Sequence, residues 1–325
     1  MRKKYSVLDV FSGAGGFSRG FQDEGYDIVL GIDNFPPAAK TFKLNFPPSE
    51  VLAEDVKNVS AAVIRDFVGM DRGDFDVVIA SPPCEPFTGA NPGRERDPLD
   101  RLYRDPRGVL FLHAIRLIGE LKPRVFVIEN VPGILEPPLR SSIRKELSKV
   151  GYESVFFNVL RAEDYLVPSS RTRVFVSNIR ITPKPLGRVN VSRALEGLPP
   201  PGSLEVPNHE EPSPLPRRHQ KRVSRLRWGD SLITYRGAEG RRLPNYIRVD
   251  PRKPAPTIMG TSRLIHPFED RLLTVREQAR LMGFPDHHVF LGSKDAQYDM
   301  VGEAVPPPLA RAIALDILPR LGEEP

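Results

Sequence analysis

The chain has a single cysteine and no long apolar run, and both shortages narrow what it can be. One cysteine cannot form an internal disulfide, and the six histidines make no recognisable zinc-binding spacing with it, so we expect no structural metal. No stretch of about 18 apolar residues, the length that a membrane-spanning helix needs, is present. The start, MRKKYSVLDVF, leads directly into a strand-like segment without a cleavage site. The sequence therefore predicts a cytoplasmic protein without a membrane partner.

Apart from these shortages, the composition of the chain is that of a globular enzyme. With 325 residues, of which 40% are hydrophobic, the chain can bury one large core or two unequal ones. Its formal charge of +6 favours a polyanionic partner, although ordinary soluble proteins often carry a similar charge.

The first part of the chain alternates short apolar runs with amphipathic stretches, which is typical of βα units on a mostly parallel sheet. This pattern predicts a doubly wound, Rossmann-like α/β domain. The candidate strands cover residues 5–11, 27–33, 75–80, 125–129, 154–160 and 173–179, and the clearest candidate helices cover residues 17–24, 109–121, 141–150 and 308–318.

The pattern of residue types along the sequence changes after about Thr182. Prolines cluster at residues 199–216, and the basic stretch RRHQKRVSRLRWGD contains the only tryptophan, Trp228. We therefore predict a large domain formed by residues 1–182 and 296–325, and a smaller, less regular domain formed by residues 183–295.

A glycine-rich loop, DVFSGAGG at residues 9–16, lies where a strand should end and a helix begin. Its glycines let the backbone turn tightly and approach a ligand, although a tight turn without a ligand would look the same. Asp33 closes the next strand, where an acidic side chain can bind ribose hydroxyls. Asp55 could accept a hydrogen bond from an adenine amino group or could cap a helix.

Cys84 follows the apolar strand FDVVIA, in the loop SPPCEPFT. Ligands of open α/β sheets bind at the carboxyl ends of the strands. A lone cysteine is often a small buried hydrophobic residue, but the surrounding prolines leave it no helix or strand face on which to pack. Rigid presentation from a loop is what a nucleophile needs, so we interpret Cys84 as a nucleophile.

Three further side chains are expected at the same edge of the sheet. Glu129 ends the apolar strand FVIEN and, when protonated, can donate a proton to a pyrimidine ring nitrogen; it could also be a salt-bridged residue at a strand end. Arg171 and Arg173 begin a later strand, and their spacing predicts that both point to one side. Such a pair can hold a base carbonyl and a phosphate, or can lie solvated at the strand edge.

Taken in order, these segments resemble the motif series of the cytosine-C5 methyltransferases. The series consists of residues 9–16, Pro83 with Cys84, residues 129–131, Arg171 with Arg173, residues 273–286 (LTVREQARLMGFPD) and residues 302–307. The resemblance spans nearly the whole chain and is weakest from about residue 188 to residue 251. It implies the fold of that family, a cofactor-binding domain and a smaller target-recognition domain.

The resemblance implies transfer of a methyl group from S-adenosylmethionine to C5 of cytosine, with the base flipped out and Cys84 bonded to its C6. Glu129, Arg171 and Arg173 would act with Cys84, and no metal would be needed. The residues implied to surround S-adenosylmethionine are Asp9, Phe11, Ser12, Gly13, Gly15, Gly16, Asp33, Asp55, Val56, Pro83, Glu303 and Val305.

The implied partner is double-stranded DNA, bound by a prokaryotic monomer that is associated with the nucleoid and that could accompany a restriction endonuclease. Candidate contacts to nucleic acid lie after Cys84 and in the basic stretch, although the latter could equally be a solvated face. They are Arg94, Arg96, Arg225, Arg227, Tyr235 and Arg236.

Two residues depart from the family pattern, and both add a carboxylate. Glu85 stands where the family usually has glutamine, and Glu303 where it usually has asparagine. An ionised Glu85 would oppose formation of the Cys84 thiolate unless it points away or pairs with an arginine.

Three alternatives stay open at this point. The same chemistry could act on transfer RNA, but the Cys-Phe-Thr signature of that branch is absent, which favours DNA. A catalytically silent DNA-binding module would not need Cys84 and Glu129. A nicotinamide-dependent dehydrogenase would explain the glycine loop but not the cysteine loop.

Overall fold

A computed structural model describes residues 4–71, 73–212 and 214–322, so residues 1–3, 72, 213 and 323–325 of the two predicted domains lie outside the described residues. A seven-stranded sheet has the order β3-β2-β1-β4-β5-β7-β6. Its strands are β1 (Ser6–Val10), β2 (Asp27–Ile32), β3 (Glu50–Leu52), β4 (Val77–Ala80), β5 (Val125–Asn130), β6 (Phe156–Arg161) and β7 (Thr172–Ser177). The six predicted strands are all present, and the doubly wound α/β fold is confirmed.

The strand directions decide which residues meet at one edge of the sheet. Strands β1 to β5 are parallel, and β7 lies antiparallel between β5 and β6. The strand order reverses beside β1 and β4, so a crevice for ligands opens at their carboxyl ends. Because β7 runs in the opposite direction, its first residues lie beside the end of β5, where Asn130 pairs with Val174.

Eleven α-helices are present in the described ranges, none of them long and apolar enough to cross a membrane. They are α1 (Gly16–Asp23), α2 (Pro36–Asn45), α3 (Ala61–Val68), α4 (Pro98–Tyr103), α5 (Val109–Leu121), α6 (Pro137–Lys149), α7 (Val191–Leu195), α8 (Arg217–Val223), α9 (Val275–Leu281), α10 (Lys294–Glu303) and α11 (Pro307–Gly322).

Two apolar clusters cover the two faces of the large sheet. Successive side chains of β1 alternate between them: Val7 belongs to the cluster with α1, α2 and α11, and Leu8 belongs to the cluster with α3 to α6. The last helix, α11, packs on the first: the Tyr26 hydroxyl donates to Ala314 O at 2.9 Å, and a Cβ on Gly20 would lie 2.3 Å from Arg311 N.

The later part of the chain builds a three-stranded sheet, in the order β10-β9-β8, from β8 (Ser231–Arg236), β9 (Arg242–Arg248) and β10 (Leu264–Ile265). Strands β8 and β9 form an antiparallel hairpin. A third apolar cluster holds α9 and α10 against Ala14 of the glycine loop and Ala38 of α2. The small sheet is therefore joined to the large one through shared packing around the glycine loop.

Helix α9, within the segment LTVREQARLMGFPD, connects several parts of the fold. Thr274 and Glu277 form a capping box at its start. Arg276 is fully buried, and it donates to Pro207 O at 3.0 Å, to Pro285 O at 2.9 Å and to His288 O. One side chain thus fixes two loops that lie far apart in the sequence.

Candidate active site

Cys84 lies in the loop after β4, held from one side by the end of β5. The Asn130 side chain donates to Pro82 O at 3.0 Å, and a Cβ on Gly133 would lie only 2.0 Å from Phe87 O. The Cys84 carbonyl accepts from Phe87 N at 2.9 Å, which closes a turn directly after the cysteine. The thiol is partly buried at the margin of the large core, and these contacts hold residues 82–87 against the end of β5.

Burial raises the pKa of the Cys84 thiol to about 11. Arg173 is the largest influence in the opposite direction; Glu129 and Glu85 raise the pKa further, and Arg171 lowers it. Glu85 therefore opposes the thiolate, and its nearest cation, Arg107, is 3.9 Å away. The thiol is protonated at neutral pH, and the two arginines are what favour its ionised form.

Glu129 and Arg173 form a buried ion pair, in which Arg173 Nε lies 2.9 Å from a carboxylate oxygen of Glu129. Burial raises the pKa of Glu129, and Arg173 and then Arg171 counter part of that rise. The sequence had left open a salt-bridged Glu129, and the salt bridge is present. Buried ion pairs add little net stability, so this one is better explained by the chemistry beside it.

Arg171 lies near the same charged groups as Arg173, since both act on the pKa values of Cys84 and Glu129, but its hydrogen bonds differ. Its Nη1 donates to Ile258 O at 2.7 Å and to Gly302 O at 2.9 Å. Arg171 lies one residue before β7, which begins at Thr172, and that both arginines point to one side stays a prediction. Burial, and then the charge of Arg173, lowers the pKa of Arg171 to about 9. Arg171 thus joins the start of β7 to two later segments.

The glycines of the cofactor loop are required for different reasons. Gly15 has φ +85°, and a Cβ there would lie 2.2 Å from the Phe46 ring; a Cβ on Gly16 would lie 2.4 Å from Val305 O. Packing alone therefore demands both. Gly13, at φ +53°, has nothing within 4 Å of the same position. Only Gly13 borders open space, which indicates where a ligand can approach.

Polar groups with unused hydrogen-bonding capacity surround this open space. Asp33 accepts from Gly13 N at 2.8 Å and from Phe35 N at 2.9 Å, and burial raises its pKa. Asp9 accepts from Ser18 at 2.6 Å, and burial raises its pKa to about 7. Within the described residues, Asp9 Oδ1 and Ser12 Oγ are buried without any partner. Such orphaned groups suit a polar ligand.

The remaining predicted cofactor residues are placed as follows. Phe11 adopts φ +62° at the end of β1, and Pro83 is half-buried beside Cys84. Asp55 accepts from Lys57 N at 3.0 Å, so the alternative of a helix cap is the one observed. The list is completed by the buried residues Val56 and Val305.

Glu303 and Glu85, the two residues that depart from the family pattern, interact through their charges. Desolvation first, and then the charges of Glu85, Asp299 and Asp33, raise the pKa of Glu303 to about 7. An Oε1 of Glu303 lies 3.3 Å from where a Cβ on Gly260 would be, so the carboxyl faces the loop before β10. In the described ranges no three His, Cys, Asp or Glu side chains are placed to hold a metal ion.

The candidate nucleic-acid contacts separate into two groups. Arg94 and Arg96 follow Cys84, and Tyr235 and Arg236 end β8, close to the turn that meets the cysteine loop. Exposed Arg225 and Arg227 precede β8, at the other end of a strand about 17 Å long. The basic stretch continues from helix α8, whose exposed cations are Arg217, Arg218, Lys221 and Arg222.

Several known proteins are similar to this chain in both sequence and fold. The family model for C-5 cytosine-specific DNA methylases matches residues 5–223 and 206–318. A Methanocaldococcus jannaschii protein named as type II methyltransferase M.MJ0563P is 44% identical over 97% of this chain and 100% of its own. Type II methyltransferase M1.HphI of Haemophilus parahaemolyticus is 34% identical over 96% of this chain and 86% of its own.

Two solved structures show the same architecture. A prophage-encoded DNA modification methyltransferase from E. coli has a TM-score of 0.77 and 27% identity, with coverage of 98% of this chain and 100% of that one. The S. pombe Dnmt2 methyltransferase has a TM-score of 0.67 at 20% identity, covering 98% and 99% of the two chains, a likeness of fold alone.

Proposed function

Because the chain belongs to the family of C-5 cytosine-specific DNA methylases and is a DNA methyltransferase, we propose that it methylates cytosine at C5 through a covalent bond to Cys84. The observation that carries this proposal is the place of the only cysteine. It lies on a rigid loop at the carboxyl edge of the sheet, next to a buried pair of Glu129 and Arg173 that adds little net stability.

The glycine loop is the proposed site of S-adenosylmethionine, whose bound form supplies an electrophilic methyl group. Asp33 would accept from ribose hydroxyls while it holds Gly13 N, and the unpartnered atoms of Asp9 and Ser12 would take further hydrogen bonds. Asp55 and Val56 are proposed at the base, with Pro83, Glu303 and Val305 nearer the reacting end.

The first chemical step belongs to Cys84. Its thiol loses a proton, the sulfur bonds to C6 of a flipped cytosine, and the electron pair of the C5–C6 double bond becomes available at C5. The arginines that lower the thiol pKa make this step possible in a buried site. After methylation, water takes the C5 proton, and the electrons of that C–H bond re-form the C5–C6 double bond. The Cys84 sulfur leaves with the electrons of its bond to C6, and the ring releases the proton that N3 received.

Glu129 balances the charge that this attack places on the ring. Glu129 pairs with Arg173, but burial raises its pKa, so the carboxyl can take up a proton from water and donate it to N3 as the sulfur attacks. Arg173, bonded to one carboxylate oxygen, fixes the orientation of Glu129, and Arg171 fixes the backbone on which that pair stands.

The proposed substrate is a specific sequence in double-stranded DNA, held between a large domain (residues 1–182 and 296–325) and a smaller recognition domain (residues 183–295). The cations of α8, with Arg225 and Arg227, would bind phosphates along the duplex, whereas Arg94, Arg96, Tyr235 and Arg236 would act nearer the flipped base. We propose that the monomer acts and that a restriction endonuclease accompanies it, as the type II names of its relatives suggest.

The test is methyl transfer from labelled S-adenosylmethionine to duplex DNA and to total RNA. Wild type should label DNA, and Cys84→Ser should label neither while it binds S-adenosylmethionine with unchanged affinity in calorimetry. Val159→Ser, at an exposed position on β6, serves as a control for the substitution itself. Label in RNA alone would contradict the choice of substrate, and turnover by Cys84→Ser would contradict the nucleophile.

A further inference from the structure

The loop that carries Cys84, residues 81–97, is in direct contact with the turn of the β8–β9 hairpin. Ala238 N donates to Gly89 O at 2.9 Å. A Cβ on Gly237 would lie 2.5 Å from the same oxygen, so the two backbones approach too closely for a side chain at that position. The cysteine loop and the hairpin turn therefore fit each other at backbone level.

An ion pair strengthens this contact. Arg94 Nη2 lies 2.8 Å from an oxygen of Glu239, and the Arg94 side chain is only 14% exposed, against 80% for Glu239. Glu239 has φ +56°, a left-handed conformation that is unfavourable for a residue with a side chain. The surrounding turn maintains it, since Gly237 N donates to Arg241 O at 2.7 Å. An unfavourable backbone conformation that places a charge opposite a particular arginine is a sign of a specific role.

The other end of the cysteine loop is fixed to the large sheet. Buried Arg101 donates to Glu95 O at 2.7 Å and to Arg96 O at 3.0 Å, and its Nη1 lies 2.8 Å from Glu136, which precedes α6. The loop is thus anchored at its end by one lobe and at Gly89 by the other, while Arg94 contacts both, because its Nη1 also lies 3.9 Å from Glu136. A shift of the hairpin must move the middle of the loop relative to its anchored end.

We infer that Glu239 is a positioning residue, which couples the β8–β9 hairpin to the loop that carries the nucleophile through its ion pair with Arg94. This inference rests on the proposed function, in which the hairpin belongs to the part that recognises DNA. Engagement of the hairpin by DNA is then transmitted to Cys84, so that recognition and placement of the nucleophile are linked. Because Glu239 is largely exposed, the pair adjusts the position of the loop and does not lock it.

Hydrogen exchange without DNA tests the coupling independently of activity. Glu239→Gln, Arg94→Gln and the double variant are compared at the amides of residues 87–94 and 238. Each single change should accelerate exchange about 1.5- to 5-fold, the range of an exposed ion pair, and the double change no further. Unchanged exchange, or effects that add, would overturn the inference.

Steady-state methylation of duplex DNA gives the second measurement. Glu239→Gln should lower kcat by about 1.5- to 5-fold without changing the KM for S-adenosylmethionine or the melting temperature. Glu196→Gln, which breaks an exposed ion pair with Arg193 on α7, should leave kcat unchanged. If Glu239→Gln matches that control, the inference is wrong. If wild type transfers no methyl group at all, the proposed function is wrong, and the exchange experiment still decides the coupling.

Discussion

The charge of Glu129 should make the thiol of Cys84 less reactive, even though the proposed reaction needs both groups. Burial sets the thiol pKa at about 11, so about one molecule in a thousand is ionised at pH 8. Glu129→Gln removes a carboxylate next to the thiol and leaves Arg173 without a counterion. Both changes lower the thiol pKa, by at least about one unit for adjacent charges.

The size of the effect on labelling follows from two opposing factors. A fall of one unit raises the thiolate fraction tenfold, but a less basic thiolate is a weaker nucleophile, so the net gain in alkylation is about three- to fourfold. Methyl transfer should fall at the same time by about 10²- to 10⁴-fold, because a general acid is lost. The same substitution thus activates the nucleophile and disables the enzyme.

Iodoacetamide labelling followed by mass spectrometry measures this directly, since all label on cysteine is at Cys84. Glu85→Gln should increase the rate less, because Glu129 raises the thiol pKa more than Glu85 does; the distant Glu196→Gln should not change it. Breaking a buried pair is destabilising, so the rate must also be shown not to rise in dilute urea, as it would if unfolded molecules were labelled. Slower or unchanged labelling of folded Glu129→Gln would refute the reasoning.

Three further predictions concern stability. Gly16→Ala should lower the free energy of unfolding by about 1–3 kcal/mol, because its Cβ would meet Val305 O. Gly13→Ala should lower it by only about 1–2 kcal/mol, because of its positive φ, and urea unfolding that reverses this order would contradict the packing. Arg171→Gln should lose about 2–5 kcal/mol, as the carbonyls of Ile258 and Gly302 are left unpaired, whereas exposed Arg188→Gln should lose almost nothing; equal losses would assign Arg171 no structural role. Glu303 has a pKa raised to about 7, so its contribution to stability is full below pH 4.5 and is lost as the pH rises through 7. The melting temperature of Glu303→Gln, relative to that of wild type, should therefore rise between pH 5 and pH 8. A constant difference between the two melting temperatures would show that Glu303 is not titrating there.

The strands were predictable because those of a parallel sheet are buried on both faces and appear as continuous apolar runs, as in Val77–Ala80 and in residues 125–128. The place of β7 between β5 and β6 was not, since pairing depends on the whole fold. That order is what brings Arg173 beside Glu129, so the ion pair itself could not be predicted from spacing.

From sequence alone, residues that bind a ligand are hardest to distinguish from residues that only pack. Gly13, Gly15 and Gly16 are equivalent as letters, yet only Gly13 borders open space. Arg171 and Arg173 look alike in sequence, yet Arg173 pairs with Glu129 whereas Arg171 donates to the carbonyls of Ile258 and Gly302. The contact between Gly89 and Ala238 joins segments about 150 residues apart, and no local signal for it exists beyond the two glycines, Gly89 and Gly237.

The packing of α11 on α1 has a consequence for synthesis of the protein on the ribosome. One face of the large sheet, with Phe17 and Phe21 on the helix beside it, is completed only by α11, which is translated well after the last strand of that sheet. Until α11 emerges, the nascent chain exposes this apolar face, and the turn from Gly302 to Val305 that packs on the glycine loop does not yet exist. Until α11 has packed, the nascent chain therefore lacks both a covered apolar face and a supported glycine loop, so we expect it to be inactive and prone to association.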